Sequence, residues 1–222
     1  MFITNAKSFA GAAGLLAALG LFLSAAAAPP RRSAQVTAIR VAAVKEAAPA
    51  AGSAISLTLD AAQSKVHWTL PSSLHTVHGT FSVVRGAMNL DPESGKASGE
   101  VVVSATSGES GNDSRDAKMH KEILETAKYP EAVFHPTQVE GKVAATGPSD
   151  VKVHGTFSVH GADHEITALI HAEIAADTWK GTAKFDVPYV AWGIKNPSNF
   201  LLKADKVVSV EVEMAGRLQP AK

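Results

Sequence analysis

From Ser56 onward, apolar and polar residues alternate with a period of two, in runs separated by Gly, Pro, Asp and Asn. Alternation of this kind predicts β-strands that bury one face and expose the other to water. The clearest run extends from Thr178 to Val187 and places on one face Trp179, Gly181, Ala183, Phe185 and Val187. The same parity holds in segments 166–174 and 208–214. This part of the chain is therefore predicted to be all-β.

The segments between these runs indicate hairpins. Asp91–Gly95, Thr146–Asp150 and Gly161–Asp163 carry the Gly, Pro, Asp or Ser residues that tight connections need. Runs of about ten residues form strands about 35 Å long, which is long for a small sandwich. Closing about eight strands, mostly antiparallel, into a barrel removes their exposed edges. Small inward residues such as Ala168 and Ala183 favour a hollow barrel over a filled one.

One segment breaks the strand pattern. Between Asp113 and Lys128, the residues Met119, Ile123 and Ala127 recur at helical spacing. Asp113 or Ser114 is suited to cap such a helix, and the Tyr129-Pro130 pair ends it. The sequence thus predicts one short helix at the barrel mouth, where it acts either as a plug or as a lid.

The heptapeptide Val77–Val83, with the sequence VHGTFSV, recurs unchanged as Val153–Val159. The residues between the two copies do not repeat, which excludes a solenoid. We interpret the repeat as two strands in similar environments, where the glycine permits close backbone approach and the Phe and Val residues supply buried surface. A ligand-binding motif is the alternative.

The amino-terminal residues are typical of an export signal. Lys7 precedes an apolar run from Phe9 to Ala28 that closes in small residues, which predicts a signal peptide over residues 1–28 cleaved near Ala26 or Ala27. An uncleaved anchor is the alternative, because about 20 apolar residues can span a bilayer. Residues 29–54, rich in Ala, Pro and Arg, are predicted to form a flexible linker. The protein is thus expected in the periplasm or secreted.

Charge and residue types exclude several functions. The 21 basic residues balance the 21 acidic ones, so the basic excess typical of nucleic-acid-binding proteins is missing. The chain has no cysteine, which excludes disulfide scaffolds and thiolate chemistry. Its nine histidines lack paired metal-ligand spacing, except for His160 and His164, which straddle a predicted turn. Nucleophile-elbow and phosphate-loop motifs are also missing, so neither catalysis nor a cofactor is indicated.

With these functions excluded, binding of an apolar ligand inside the barrel is the remaining hypothesis. A dry tube can bind a hydrocarbon chain without any polar motif, because each buried CH₂ contributes about 0.8 kcal/mol. The inward-facing candidates for such a lining are Trp68, Leu70, Phe81, Phe134, Phe157, Phe185, Val187 and Met214, with Met119 and Ile123 added from the predicted helix. For any one of them, ordinary core packing is the competing interpretation.

Several motifs occur in the order typical of one family. Ser64–Trp68 and Val77–Phe81 come first, Ser114-Arg115-Asp116 opens the predicted helix, and Lys128–Phe134 follows it. The last two motifs are Val153–Ile166 and Val187–Lys195. From about residue 55 to residue 219 the chain resembles the YceI-like family of secreted lipid-binding proteins.

The resemblance implies an extended, lipocalin-like antiparallel barrel that holds a polyisoprenoid, an isoprenoid quinone or another long-chain amphiphile, with no catalytic residues. Trp192 and Phe200, in the loop before the last strand, then contact the ligand or cover the barrel end. A membrane serves only as a source of lipid, and a homodimer is an open possibility. Two other hypotheses stay open: a ligand-free stress-response or interaction module with a packed barrel, and a histidine-metal hydrolase.

Overall fold

The computed structural model describes residues 54–220. The predicted signal peptide (1–28) and all but the last residue of the predicted linker (29–54) lie outside the described residues. Nine strands account for most of the described chain: β1 (Ile55–Leu59), β2 (Lys65–Leu70), β3 (Val77–Leu90), β4 (Ala97–Glu109), β5 (Glu131–Glu140), β6 (Gly147–Val159), β7 (Ala162–Ala175), β8 (Thr178–Val187) and β9 (Val208–Pro220).

The strands form one antiparallel sheet that closes on itself. Neighbours in the sheet run in the order β3-β2-β9-β8-β7-β6-β5-β4, and pairing of β3 with β4 closes the ring. The two shortest strands, β1 and β2, share one position between β3 and β9: β2 pairs with their ends near Val77 and Ser209, and β1 pairs with their opposite ends near Leu90 and Pro220. A 3₁₀ turn, Ala61–Gln63, separates β1 from β2. The predicted barrel of eight antiparallel strands is confirmed.

The two ends of the barrel differ in their connections. At one end, which we call the turn end, the segments 91–96, 141–146 and 176–177 join the strands. At the other end, which we call the helix end, the segments are 71–76, 110–130, 160–161 and 188–207. The strands with 13 or 14 residues extend about 45 Å at 3.3 Å per residue, so the barrel is long.

Alternation along the strands sets the inner and outer faces of the barrel. On β8, Trp179, Ala183 and Val187 are buried, whereas Thr178, Lys180 and Lys184 are exposed. On β7, Ala168 and Ile174 are buried, and their neighbours in sequence face solvent. Since only one face of each strand is apolar, a register slip of one residue would move the apolar side chains into water.

The helix is shorter than predicted. An α-helix, α1, covers Asp113–Lys118, and a π-helical turn, Met119–Ile123, follows it. The cap is Asn112, one residue before the predicted position, and its Oδ1 accepts a hydrogen bond from the backbone N–H of Arg115 at 2.9 Å. The predicted continuation to Lys128 is wrong, because Glu125 adopts a left-handed backbone conformation with φ of 48° that ends the helical path.

The hairpin connection predicted at Thr146–Asp150 is also displaced. Strand β6 begins at Gly147, and Pro148 and Asp150 lie opposite Glu173 and His171 of β7. In this stretch β6 pairs with β7 alone, since its pairing with β5 involves only residues 152–158. A strand edge of this kind tolerates a proline, which cannot donate a backbone hydrogen bond. The prediction of a turn at 146–150 from its Gly, Pro, Ser and Asp residues is therefore wrong.

The repeated heptapeptide places two glycines beneath aromatic rings. Gly79 lies opposite Trp68 in the sheet, and a Cβ at position 79 would overlap both the Trp68 indole and the Glu109 backbone oxygen. In the second copy, a Cβ at Gly155 would approach the Phe134 ring to 2.7 Å and also overlap backbone. Both copies therefore use glycine to admit a ring from the adjacent strand, as the interpretation of similar environments predicted.

Gly79→Ala is therefore expected to lower the free energy of unfolding by about 2 kcal/mol, because overpacking of a tight interior costs this much. Urea denaturation followed by circular dichroism measures the change. Gly181→Ala is the matched control: this glycine also lies on a strand, and the nearest atom to its added Cβ would be a backbone oxygen at 3.0 Å. Equal losses in the two variants would contradict the packing explanation for the repeat.

Candidate functional site

A cavity of about 650 Å³ extends along the barrel interior. Leu90, Val139 and Trp179 line it near the turn end, and Ile123 and Tyr189 line it at the helix end. The space therefore follows the barrel axis from one end to the other. A packed barrel would have its interior filled by side chains. In this barrel they leave the interior open.

The cavity wall is almost entirely apolar, and small residues help to keep it open. Ala168, Ala172 and Ala183 all contribute to the wall. Two of the three, Ala168 and Ala183, are also buried within the main apolar cluster, where their short side chains take up little of the interior. The small inward residues predicted from the alternation are thus part of the hollow interior.

Ten of the twelve sequence-predicted site residues lie on the cavity wall. They are Trp68, Leu70, Phe81, Met119, Ile123, Phe134, Phe157, Phe185, Val187 and Met214. They come from six strands and the helical segment, which barrel closure brings around one space. The placement is consistent with a binding role, and contact of these side chains with a ligand stays a prediction.

The structure places the other two, Trp192 and Phe200, away from the wall. The indole of Trp192 stacks on the His164 ring at a centroid distance of 4.0 Å and an interplanar angle of 3°. It also packs on Phe157 at 6.2 Å, so it supports a wall residue from behind. Phe200 is 94% exposed and points into solvent. Both residues belong to the loop 188–207, which also supplies cavity-lining residues such as Ile194 and Leu202. The sequence indicated this loop but not which of its side chains face the cavity.

Polar groups are concentrated at the helix end of the cavity. Seven polar residues line it there: Ser72, His75, Asn112, Ser114, Arg115, Lys118 and Asn199. Toward the turn end the polar residues of the lining are Asn89 and Ser149. The cavity thus has an apolar body and a polar mouth, and of these mouth residues only Ser114 and Arg115 belonged to a motif noted in the sequence.

Arg115 is held in place by the loop before α1. Its Nε donates to Oγ of Ser110 at 2.7 Å, and its Nη2 donates to the Ser110 carbonyl oxygen at 2.8 Å. Asp116 accepts hydrogen bonds from the hydroxyl and the backbone N–H of the same serine. Burial raises the pKa of Asp116, but these hydrogen bonds and the charge of Arg115 outweigh it, so this pKa lies below its ordinary value. The two side chains fix the start of the helical segment over the mouth.

One contact joins two of the mouth segments, and a second holds the loop 188–207 together. Lys195 Nζ lies 3.0 Å from Glu122 Oε2, and this hydrogen bond, together with the lysine charge, lowers the pKa of Glu122. The buried Tyr189 donates its hydroxyl to the Asp205 carbonyl oxygen at 2.6 Å. Burial, aided by the charge of Asp205, raises the pKa of Tyr189 to about 12, so the phenol stays neutral at physiological pH.

The lining offers little for catalysis. Its one histidine in the described residues is His75, and the nearby Ser72 donates its hydroxyl to the His75 backbone oxygen at 2.5 Å. The hydroxyl therefore engages the backbone and not the imidazole, unlike a nucleophile activated by a base. Within residues 54–220, no three His, Asp or Glu side chains are placed together to hold a metal ion.

Residues 57–219 match the family model of the YceI-like domain. The chain belongs to the YceI-like family. The resemblance stated from the sequence motifs is thereby confirmed. No curated protein matches the sequence.

Solved structures share the fold of this YceI-like protein. BcnA of Burkholderia cenocepacia is similar, with a TM-score of 0.57 and 16% identity over 71% of this chain and 98% of BcnA. A polyisoprenoid-binding domain from Saccharophagus degradans, implicated in plant cell wall breakdown, has a TM-score of 0.55 and 16% identity over 73% of this chain and 98% of that domain. At such identities the likeness shows the fold alone. Among the described residues, no helix is long and apolar enough to cross a membrane.

Proposed function

We propose that this YceI-like protein binds a polyisoprenoid, such as the tail of an isoprenoid quinone, or a similar long-chain amphiphile inside its barrel. The observation that carries the proposal is the apolar cavity of about 650 Å³ along the barrel axis. A similar fold in a polyisoprenoid-binding domain supports the choice of ligand class. The protein then acts as a carrier that sequesters the lipid and leaves it chemically unchanged.

Burial of the tail supplies the affinity. At about 0.8 kcal/mol for each buried CH₂, a five-carbon isoprenoid unit contributes about 3 to 4 kcal/mol before ordering costs are subtracted. The wall residues that receive it are aromatic and aliphatic, as in most sites for apolar ligands. Affinity is therefore expected to rise with tail length until the cavity is filled.

The polarity of the cavity sets the direction of the ligand. The mouth residues Arg115, Lys118 and Asn199 provide hydrogen-bond donors at the helix end, whereas the opposite end is lined by side chains such as Leu90 and Trp179. A head group is best solvated at the mouth, and the tail is best buried toward the turn end. The proposal includes export of the carrier to the periplasm or out of the cell. The apolar run after Lys7, which is typical of a signal peptide, supports export.

Purified protein is expected to carry a lipid that native mass spectrometry detects as a mass increment and that organic solvent releases. Delipidated protein should then bind isoprenoid quinones more tightly as the tail is lengthened. A quinone without a tail is the matched control and should not bind measurably. Repeated recovery of an empty barrel that also fails to take up long-chain quinone would contradict the proposal and favour a ligand-free module.

A further inference from the structure

Large apolar side chains are exposed at the helix end, beside the cavity mouth. Phe200 is 94% exposed, Leu201 is 76% exposed and Leu74 is 65% exposed. The other exposed large apolar residues of the described chain, Val84 and Leu169, lie separately on strands β3 and β7. We call the first three residues the apolar tip. Exposed apolar side chains that cluster in this way mark an interaction surface.

The apolar tip is carried by two loops that are hydrogen-bonded to each other. The backbone N–H of Ser73 donates to the Lys203 carbonyl oxygen at 2.8 Å, and the N–H of Lys203 donates to the Ser73 hydroxyl at 3.0 Å. Within the second loop, Oδ1 of Asn199 accepts hydrogen bonds from the N–H groups of Leu201 and Leu202. The residues of the apolar tip are therefore exposed on loops that hydrogen bonds hold in place.

The same two loops also form part of the cavity mouth. Ser72 and His75 flank Leu74 closely in sequence, and Asn199 and Leu202 flank the pair Phe200-Leu201; all four flanking residues line the cavity. One side of each loop thus faces the cavity, and the other side presents apolar groups to the surroundings. A surface that received the tip would lie directly against the mouth.

Charge around the tip favours an anionic surface. The helix-end segments 71–76, 110–130, 160–161 and 188–207 contain seven Lys or Arg residues and five Asp or Glu residues. The turn-end segments 91–96, 141–146 and 176–177 contain two basic and three acidic residues. Lys203 and Lys206 follow Phe200 and Leu201 in the sequence, with one acidic residue, Asp205, between the two lysines. Lysines beside exposed aromatic and aliphatic groups are typical of segments that lie at a bilayer interface.

We propose that the apolar tip docks onto the surface of a bilayer containing anionic lipids, with Phe200 and Leu201 entering the interface and Lys203 and Lys206 facing the head groups. Docking in this orientation places the cavity mouth against the lipid, so that a tail can pass between bilayer and barrel with little exposure to water. The membrane is then a docking partner and not merely a source of lipid. Docking serves lipid transfer only if the barrel binds a lipid, so this inference rests on the proposed function. Vesicle binding and cavity filling are measured separately.

Site-specific quenching tests the orientation of the docked protein. In Phe200→Trp, fluorescence should be quenched by vesicles of phosphatidylethanolamine and phosphatidylglycerol that carry brominated acyl chains. Leu169→Trp is the matched control, because Leu169 is exposed on the barrel side, and it should show no added quenching over the parent protein. Equal quenching at both positions, or none at position 200, would overturn the proposal.

Co-sedimentation with the same vesicles tests the contribution of the tip. The double variant Phe200→Ser/Leu201→Ser should lose about tenfold or more in vesicle affinity, because two apolar side chains leave the interface. Val84→Ser/Leu169→Ser should bind as the parent does, and binding to phosphatidylcholine vesicles should be weaker.

A different result would identify a second copy of the protein as the partner of the apolar tip. If the tip variant kept its vesicle affinity and only changed from a dimer to a monomer, the bilayer proposal would fail. A lipid-filled protein that ignores vesicles would overturn docking alone, whereas a vesicle-bound protein that never fills would overturn the carrier function alone.

Discussion

Ala168→Trp is expected to weaken lipid binding strongly while leaving the barrel folded. Ala168 is 3% exposed, lies on β7 and contributes to the cavity wall, so a large side chain at this position would extend into the space assigned to the tail. Displacing about four methylene groups, each contributing about 0.8 kcal/mol, weakens binding by about 100-fold or more. Titration of delipidated protein with a long-chain isoprenoid quinone measures the loss.

The adjacent residue provides the control for this substitution. Leu169 follows Ala168 on the same strand but is 58% exposed on the outer face of the barrel. Leu169→Trp should therefore bind quinone as the parent protein does. Thermal denaturation of both variants separates plugging from unfolding, because overpacking costs about 1 to 3 kcal/mol and need not unfold a domain. A folded Ala168→Trp protein that kept its quinone affinity would show that the ligand does not occupy the barrel.

The barrel could be predicted from the sequence because one physical signal dominates its strands. Each strand has one dry and one wet face, and the alternation on β8, with Trp179, Ala183 and Val187 inward, specifies both strand and register. The same parity predicted eight of the cavity-wall residues, since an inward position in a closed, hollow barrel faces the cavity, and helical spacing added Met119 and Ile123. Hollowness itself was indicated only by the small inward residues, which a packed barrel also tolerates.

Local turn chemistry was less informative, because tertiary pairing overrides it. The Gly-Pro-Ser-Asp stretch starting at Gly147 is typical of a turn, yet it begins β6 because β7 supplies a partner for every residue there. The helical spacing of Met119, Ile123 and Ala127 continued past the true end of the helix. Periodicity does not reveal where a backbone leaves the helical region, and in this chain it does so at Glu125.

The polar mouth could not be assembled from the sequence, because its residues come from loops that are distant in the chain. The Glu122–Lys195 ion pair joins two separate segments, and the Tyr189–Asp205 hydrogen bond spans 16 residues within one loop. No local sequence pattern relates the residues of either pair. Arg115 and Asp116 were visible as part of a family motif, but their hydrogen bonds to Ser110 depend on the path of the loop before α1. Sequence reasoning therefore predicted the wall of the site better than its opening.

Trp179→Ala is expected to lower the free energy of unfolding by about 3 to 5 kcal/mol, the usual loss when a buried tryptophan is truncated. Trp179 is 3% exposed and belongs to the main apolar cluster, and its ring lies close to Gly216 on β9. Phe185, on the same strand and face, is only partly buried and packs edge-on against Phe157 at 5.8 Å. Its removal enlarges an existing void instead of creating a new one.

Phe185→Ala should consequently cost only about 1 to 2 kcal/mol of stability, because less packed surface is lost, while it weakens quinone binding measurably. Urea denaturation and quinone titration of both variants, each delipidated first, separate the two effects. A hollow barrel requires this contrast: both rings border the cavity, but Trp179 is buried in the apolar cluster, whereas the partly buried Phe185 contributes to the ligand more than to the fold. If both truncations destabilised the protein equally and neither changed binding, Phe185 would be packed as tightly as Trp179, and the ligand-free module with a packed barrel would be the better description.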